Sequence, residues 1–120
     1  MMKRVWSGQR LSDEVGPIGP APVQPNGPEL LLGGVHGSSL RRAARLGDGY
    51  ITLPARTDVL ADRFRAVEAE WKVAGRKRRP RLVGTIYFTL EPNGAEQANA
   101  YILDYYSFMG EMAHFWRRRC

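Results

Sequence analysis

Apolar and polar positions fall into blocks along the chain, and the length and period of each block predict an element. Residues 29–32, Glu29-Leu30-Leu31-Leu32, give a short apolar run without polar alternation. Such a run reads as a strand covered on both faces. Gly33 and Gly34 come next and allow a tight turn or the close approach of a ligand. Ser38 or Ser39 can cap a helix that runs to about Leu46. Leu40, Ala43, Ala44 and Leu46 form its buried side, and Arg41, Arg42 and Arg45 face out. Gly47 is its natural C-cap. The stretch from Asp48 to Leu53 is a turn entering a second short strand, which Pro54 ends. Thr57 or Asp58 caps a longer helix to about Ala74, with Val59, Leu60, Phe64, Val67 and Trp71 as its apolar stripe and Gly75 as its stop. The strongest strand signal covers residues 82–90, where Val83, Thr85, Ile86, Tyr87, Phe88 and Thr89 are β-branched or aromatic. A turn at Glu91-Pro92-Asn93-Gly94 leads into a last helix beginning near Ala95, which Gly110 interrupts.

The order is strand, helix, strand, helix, strand, helix, which predicts a parallel α/β arrangement. Residues 1–11 read as the tail of a helix, with Val5 and Trp6 apolar and Gly8 stopping the pattern. Residues 12–28 carry Pro17, Pro20, Pro22, Pro25 and Pro28 among several glycines. Proline removes backbone donors and fixes φ, so this is an extended loop. Its Val15, Ile18 and Val23 suggest that it lies against something. Three strands leave two bare edges, so the chain reads as a portion of something larger.

Composition narrows the picture. The chain has 120 residues, 43% of them hydrophobic, enough for one small core. No stretch approaches the roughly 18 apolar residues a membrane helix needs. The N-terminus has two charges with no apolar run behind them and predicts no signal peptide. Cys120, the single cysteine, cannot form an internal disulfide. A cytoplasmic protein is the expectation. The formal charge of +6 invites a nucleic-acid reading. The distribution argues against it: the basic residues crowd into residues 76–81, the terminal 117–119 run and the Arg41/Arg42/Arg45 helix, with no interleaved aromatics to stack on bases. A solvated charged surface is the plainer account.

Two strings carry a family resemblance. Pro22-Val23-Gln24-Pro25-Asn26-Gly27-Pro28-Glu29-Leu30-Leu31-Leu32-Gly33-Gly34 leads on to Ser39-Leu40-Arg41-Arg42-Ala43-Ala44-Arg45-Leu46-Gly47-Asp48-Gly49-Tyr50. Together they resemble the bacterial luciferase-like monooxygenases, which use reduced FMN or the deazaflavin F420. The helix ending at Gly75, the basic loop, the 82–90 strand and the Tyr105-Tyr106-x-Phe108 region look like the next elements of a family member's chain. The resemblance runs from about Val5 to Gly110 and is to the C-terminal part of a family member only; the terminal residues 115–120 do not resemble the family's ending. It implies an α/β fold that is a partial (β/α)8 TIM barrel of about three parallel strands with alternating helices, and a single incomplete barrel domain over residues 1–120 with the 12–28 loop inside it. It also implies a truncated flavin-dependent monooxygenase or oxidoreductase, with little or no activity from the chain alone.

On the residues themselves, Gly33 and Gly34 are either a steric turn or a place where backbone N–H groups close on a phosphate, aided by the positive end of the next helix. The resemblance favours the phosphate role. With Val35, His36, Ser38 and Ser39 they make the candidate cofactor-binding set, for FMN or alternatively F420. His36 is equally an exposed loop histidine, and no carboxylate is placed to make it a base. Ser38 and Ser39 are equally helix caps. Arg41 faces either an anion or solvent, and Asp48 is a turn residue. Tyr50 and Thr52 alternate along the strand, so one of them points toward the barrel interior. For Tyr87, Tyr105 and Tyr106 aromatic core packing is the ordinary explanation. His114 has no chemical role. No catalytic residue is assigned, and no metal cluster, Walker A or Ser-His-Asp pattern is visible. The expected partners are a flavin-type cofactor and either a second copy or a companion chain supplying further strands. The competing reading is non-enzymatic: a fragment that acts through self-association or as one piece of a split barrel.

Overall fold

The computed structural model describes residues 2–25 and 27–112, of which 111 and 112 in backbone alone. His114, the basic run at 117–119 and Cys120 lie outside the described residues. Two compact units divide the chain, Met1–Leu30 and Leu31–Cys120.

In the first unit, helix α1 spans Met2–Trp6. The Ser7 and Gly8 N–H groups close its end on Lys3 O and Val5 O at 3.1 and 3.0 Å. The Pro/Gly stretch forms no helix or strand, as its missing donors dictate. The apolar residues expected to be covered are exposed to different degrees. Val15 and Ile18 are exposed and Val23 is fully so. Within this unit Gly27 lies against the Trp6 ring, which leaves no room for a side chain at position 27.

The second unit alternates strand and helix as the sequence predicts. Strand β1 is Leu31–Gly33, helix α2 Gly37–Leu46, strand β2 Gly49–Ile51, helix α3 Thr57–Val73, strand β3 Arg81–Val83 and helix α4 Gly94–Tyr105. A 3-10 stretch, Ser107–Met112, comes after it and is kinked at Gly110. The strands form a parallel sheet in the order β1-β2-β3. Sequential parallel order with an unclosed sheet is that of a partial (β/α)8 barrel.

Register explains the core. Leu32, Tyr50 and Leu82 are partners across the three strands. That row packs against Leu40, Ala43 and Ala44 of α2 and against Phe64, Val67 and Trp71 of α3. The two helices therefore cover one face of the sheet. On the other face Leu31, Ile51 and Val83 are half-buried. Gly49 sits between Leu31 and Arg81 in the adjoining row, where a Cβ would run into the Arg81 carbonyl and the Leu31 side chain.

Several expectations are corrected. Leu46 is 57% exposed; it lies six residues beyond Leu40, off the face that Ala43 and Ala44 share with Leu40. Neither Ser38 nor Ser39 caps α2. The N-cap is His36, with an extended backbone and no side-chain cap bond. Gly47 does close α2, but with extended dihedrals rather than left-handed ones. The 82–90 strand shortens to Arg81–Val83 because β2 offers no partner past Ile51; beyond it, Thr52 N–H still reaches Val83 O at 3.0 Å. Residues 84–90 are outside the sheet, with Ile86, Phe88 and Leu90 exposed. Tyr87 and Tyr105 are also exposed, so the aromatic group is a surface cluster. Tyr105 meets Tyr106 edge-on at 4.9 Å, and the Tyr87 and Tyr106 hydroxyls lie 2.8 Å apart.

Candidate functional site

Because all three strands run the same way, their C-terminal ends share one edge. Three segments emerge there: the Gly34–Gly37 turn into α2, the Thr52–Arg56 turn into α3, and the extended run after Val83. Open α/β sheets and barrels bind ligands at this edge, where chain reversals leave a crevice.

The first turn holds the six candidate residues. Gly33 ends β1 and Gly34 has φ of +135°. An L side chain is strained at that angle, and a Cβ on Gly34 would also collide with the Ser39 side chain. The glycine is thus needed to let Ser39 close under the turn. This is a narrower reason than the ligand approach weighed from sequence. Val35, His36, Gly37 and Ser38 are exposed, whereas Ser39 is half-buried. Ser39 N–H donates to His36 O at 2.8 Å and Leu40 N–H to the same oxygen at 3.2 Å. Gly37 and Ser38 hold the first two helical positions, whose N–H groups have no acceptor within a helix.

Tyr50 fixes this turn. Its ring is fully buried in the core, and its hydroxyl donates to the Gly34 carbonyl at 2.6 Å. In a trans peptide the C=O and the next N–H point opposite ways. Drawing the Gly34 carbonyl toward the core therefore turns the Val35 N–H outward. Val35, Gly37 and Ser38 then offer backbone donors, with the Ser38 hydroxyl, at the positive end of α2. That donor set suits an anionic oxygen group.

The second and third segments are tied by Thr52, which is 2% exposed. Arg63 Nη1 donates to Thr52 Oγ1 at 2.9 Å, the Thr52 hydroxyl donates to Leu53 O at 3.2 Å, and Thr85 Oγ1 donates to Thr52 O at 2.8 Å. Tyr50 and Thr52 stand two residues apart and so share a face; Tyr50 packs against the helices and Thr52 bonds Arg63 of α3, which corrects the expectation that one of them points to the barrel interior. Arg63, not among the candidates above, stands three residues after Leu60 and four before Val67, on the apolar stripe of α3. A charge in that position is the signal of a buried partner.

Next to this knot lies a cleft of about 500 Å³ lined by Pro54, Ala55, Arg56, Asp58, Ile86 and Tyr87 among others. None of the six candidate residues lines it. Asp58 is held below its usual carboxyl range chiefly by the Val59 N–H, and further by Arg56, whose guanidinium lies 3.1 Å away. Among the described residues no group of His, Cys, Asp and Glu could hold a metal ion. No helix among them is long and apolar enough to cross a membrane.

A sequence model of the luciferase-like monooxygenases matches residues 1–119. The chain belongs to that family. The match corrects the expectation of a resemblance to the C-terminal part only, bounded by Val5 and Gly110. It takes in almost the whole chain, including all but the last of the terminal residues 115–120. Membership associates the luciferase-like chain with flavin- and F420-dependent oxidoreductases. No curated protein and no solved structure matches it.

Proposed function

We propose that the turn between β1 and α2 binds the phosphate end of a flavin-type cofactor, FMN or alternatively F420, and that the protein is an oxidoreductase of the monooxygenase kind. The observation that supports this is the Tyr50–Gly34 hydrogen bond, which directs the Val35 N–H away from the core. In this reading the N–H groups of Val35, Gly37 and Ser38 and the Ser38 hydroxyl hold the phosphate oxygens. Gly33 and Gly34 give the turn its shape, Ser39 packs beneath Gly34, and His36 adds an exposed donor at the rim. The adjoining cleft, with Ile86 and Tyr87 on one side and Pro54 and Ala55 on the other, offers apolar surface on the same edge. The cofactor supplies the redox chemistry when bound, while the chain binds and orients it.

Titration tests the reading. The full chain is added to FMN and, separately, to F420, and cofactor fluorescence is followed. A saturable change is expected, weakened roughly tenfold or more by Gly34→Ala, which displaces Ser39 and the turn. No change at high micromolar protein with either cofactor would sink it.

A second reading, self-association, is favoured by the exposed Ile86, Phe88 and Leu90 beside the sheet's β3 edge. Residues 82–90 carry no charge. Antiparallel pairing of two copies about Tyr87 sets Ile86 opposite Phe88 and Thr85 opposite Thr89, so one surface serves both partners. Size-exclusion chromatography is expected to show a dimer that Phe88→Lys dissociates; a monomer at high concentration rules it out.

A further inference from the structure

The N-terminal ends of the strands, opposite the proposed cofactor edge, carry a second concavity. It is a cavity of about 270 Å³ between the end of α3 and the loop leading to β3. Trp71 forms part of its wall, and Lys72, Arg76, Lys77, Arg78 and Arg79 line it with a single carboxylate, Glu68.

Arg76 is accounted for. Its Nη1 donates to Ala44 O and Gly47 O, each at 3.1 Å, and its guanidinium stacks 4.3 Å over the Trp71 ring. The C-termini of α2 and α3 bring partial negative charge to this end, and Arg76 answers that of α2. Lys77, Arg78 and Arg79 have no such account. Each is exposed. Among the described residues the ion pairs Arg41–Glu70, Arg56–Asp58 and Arg65–Asp62 all lie elsewhere. Three consecutive cations that repel one another thus border one hollow. Trp71 lines the same hollow, with its indole N–H buried beneath the surface and without an acceptor.

We propose that this cavity is a phosphate-binding site, taking a phosphate or diphosphate group between Lys77, Arg78 and Arg79 against the Trp71 wall. Arginine forks match the geometry of phosphate oxygens, and the excess of cations over Glu68 selects a multiply charged anion. The hollow admits a small group rather than a polymer, and no aromatic side chain stands between successive cations to stack bases.

Pyrophosphate titrated into the full chain tests this, with tryptophan fluorescence as readout and equilibrium dialysis as the direct measure. Orthophosphate and glycerol 2-phosphate are run beside it to separate a free ion from an ester. Saturable binding is expected, tightest for pyrophosphate and absent for chloride at matched ionic strength. The Arg78→Ala/Arg79→Ala double variant, altered only at exposed loop positions, should keep its circular dichroism spectrum and bind roughly tenfold more weakly or worse. No saturable binding, or equal affinity in the double variant, would overturn the site. An oligonucleotide that binds more tightly than pyrophosphate, with a steep salt dependence, would overturn it too and assign the loop to nucleic acid.

Discussion

Arg76 shows how much a single side chain can settle. Gly75 has φ of +69° and lies just past the last helical residues of α3. Gly75 N–H bonds Lys72 O at 2.9 Å and Arg76 N–H bonds Trp71 O at 3.2 Å, the paired bonds of a Schellman motif. That motif carries the chain back over its own last turn and lays Arg76 on Trp71. From there the guanidinium reaches the open carbonyls of α2. Arg76→Ala removes two charge-assisted hydrogen bonds and a cation–π contact, and is expected to cost about 1–3 kcal/mol. Urea denaturation would measure it, and Arg76→Lys should recover only part, because an ammonium cannot stack and fork together. Sequence makes Gly75 legible as a helix stop. It gives no hint that one residue of a basic run leaves solvent, because nothing in residues 76–79 sets Arg76 apart except its place after the glycine. Tyr50 is legible as a strand residue, but its hydroxyl finds a partner 16 positions away, which no local pattern encodes.

At the scale of elements, the helices are legible in the sequence and the longest strand is not. The α2 and α3 boundaries fall within a residue or two of expectation, since a 3.6-residue stripe is a property of the segment itself. A strand is different. Residues 82–90 have strong β preference, but that preference reports fit to a pleated surface, while the ladder needs a neighbour. β2 ends at Ile51, and Pro54 offers no N–H further on. Residues 86–90 are accordingly left without sheet bonds. In the monomer, hydrogen exchange should separate the two parts, with amides of Phe88 and Leu90 exchanging orders of magnitude faster than those of Tyr50 and Thr52. Comparable protection throughout would mean that 84–90 is paired in solution. The same contrast explains the site. The turn proposed to hold it, glycines leading into a helix, is readable from sequence. Its mechanics are not, because Ser39 under Gly34 and His36 at the N-cap depend on how the helix enters.

At the scale of the molecule, the parallel sheet separates two chemistries. The C-terminal edge gathers backbone donors, a Thr52–Arg63–Thr85 knot and a cleft of mixed apolar and polar lining. The opposite end gathers side-chain cations beside two helix C-termini. Direction alone produces this division: every strand delivers its outgoing loop to one side and its incoming loop to the other. The family match and the strand order fix the architecture, and the unclosed sheet leaves β1 and β3 as edges. The excess of positive charge, at first a property of the whole chain, becomes a property of places once the fold is known.

The turn at Gly75 carries a consequence for chirality. Its backbone sits in the region natural for mirror-image residues, and the Cβ of an L-residue there would meet nothing within 4 Å. A D-alanine would adopt that conformation without strain, and it would narrow the unfolded chain as any residue larger than glycine does. The position distinguishes handedness rather than size: an L side chain has room there, and its cost is one of backbone stereochemistry alone.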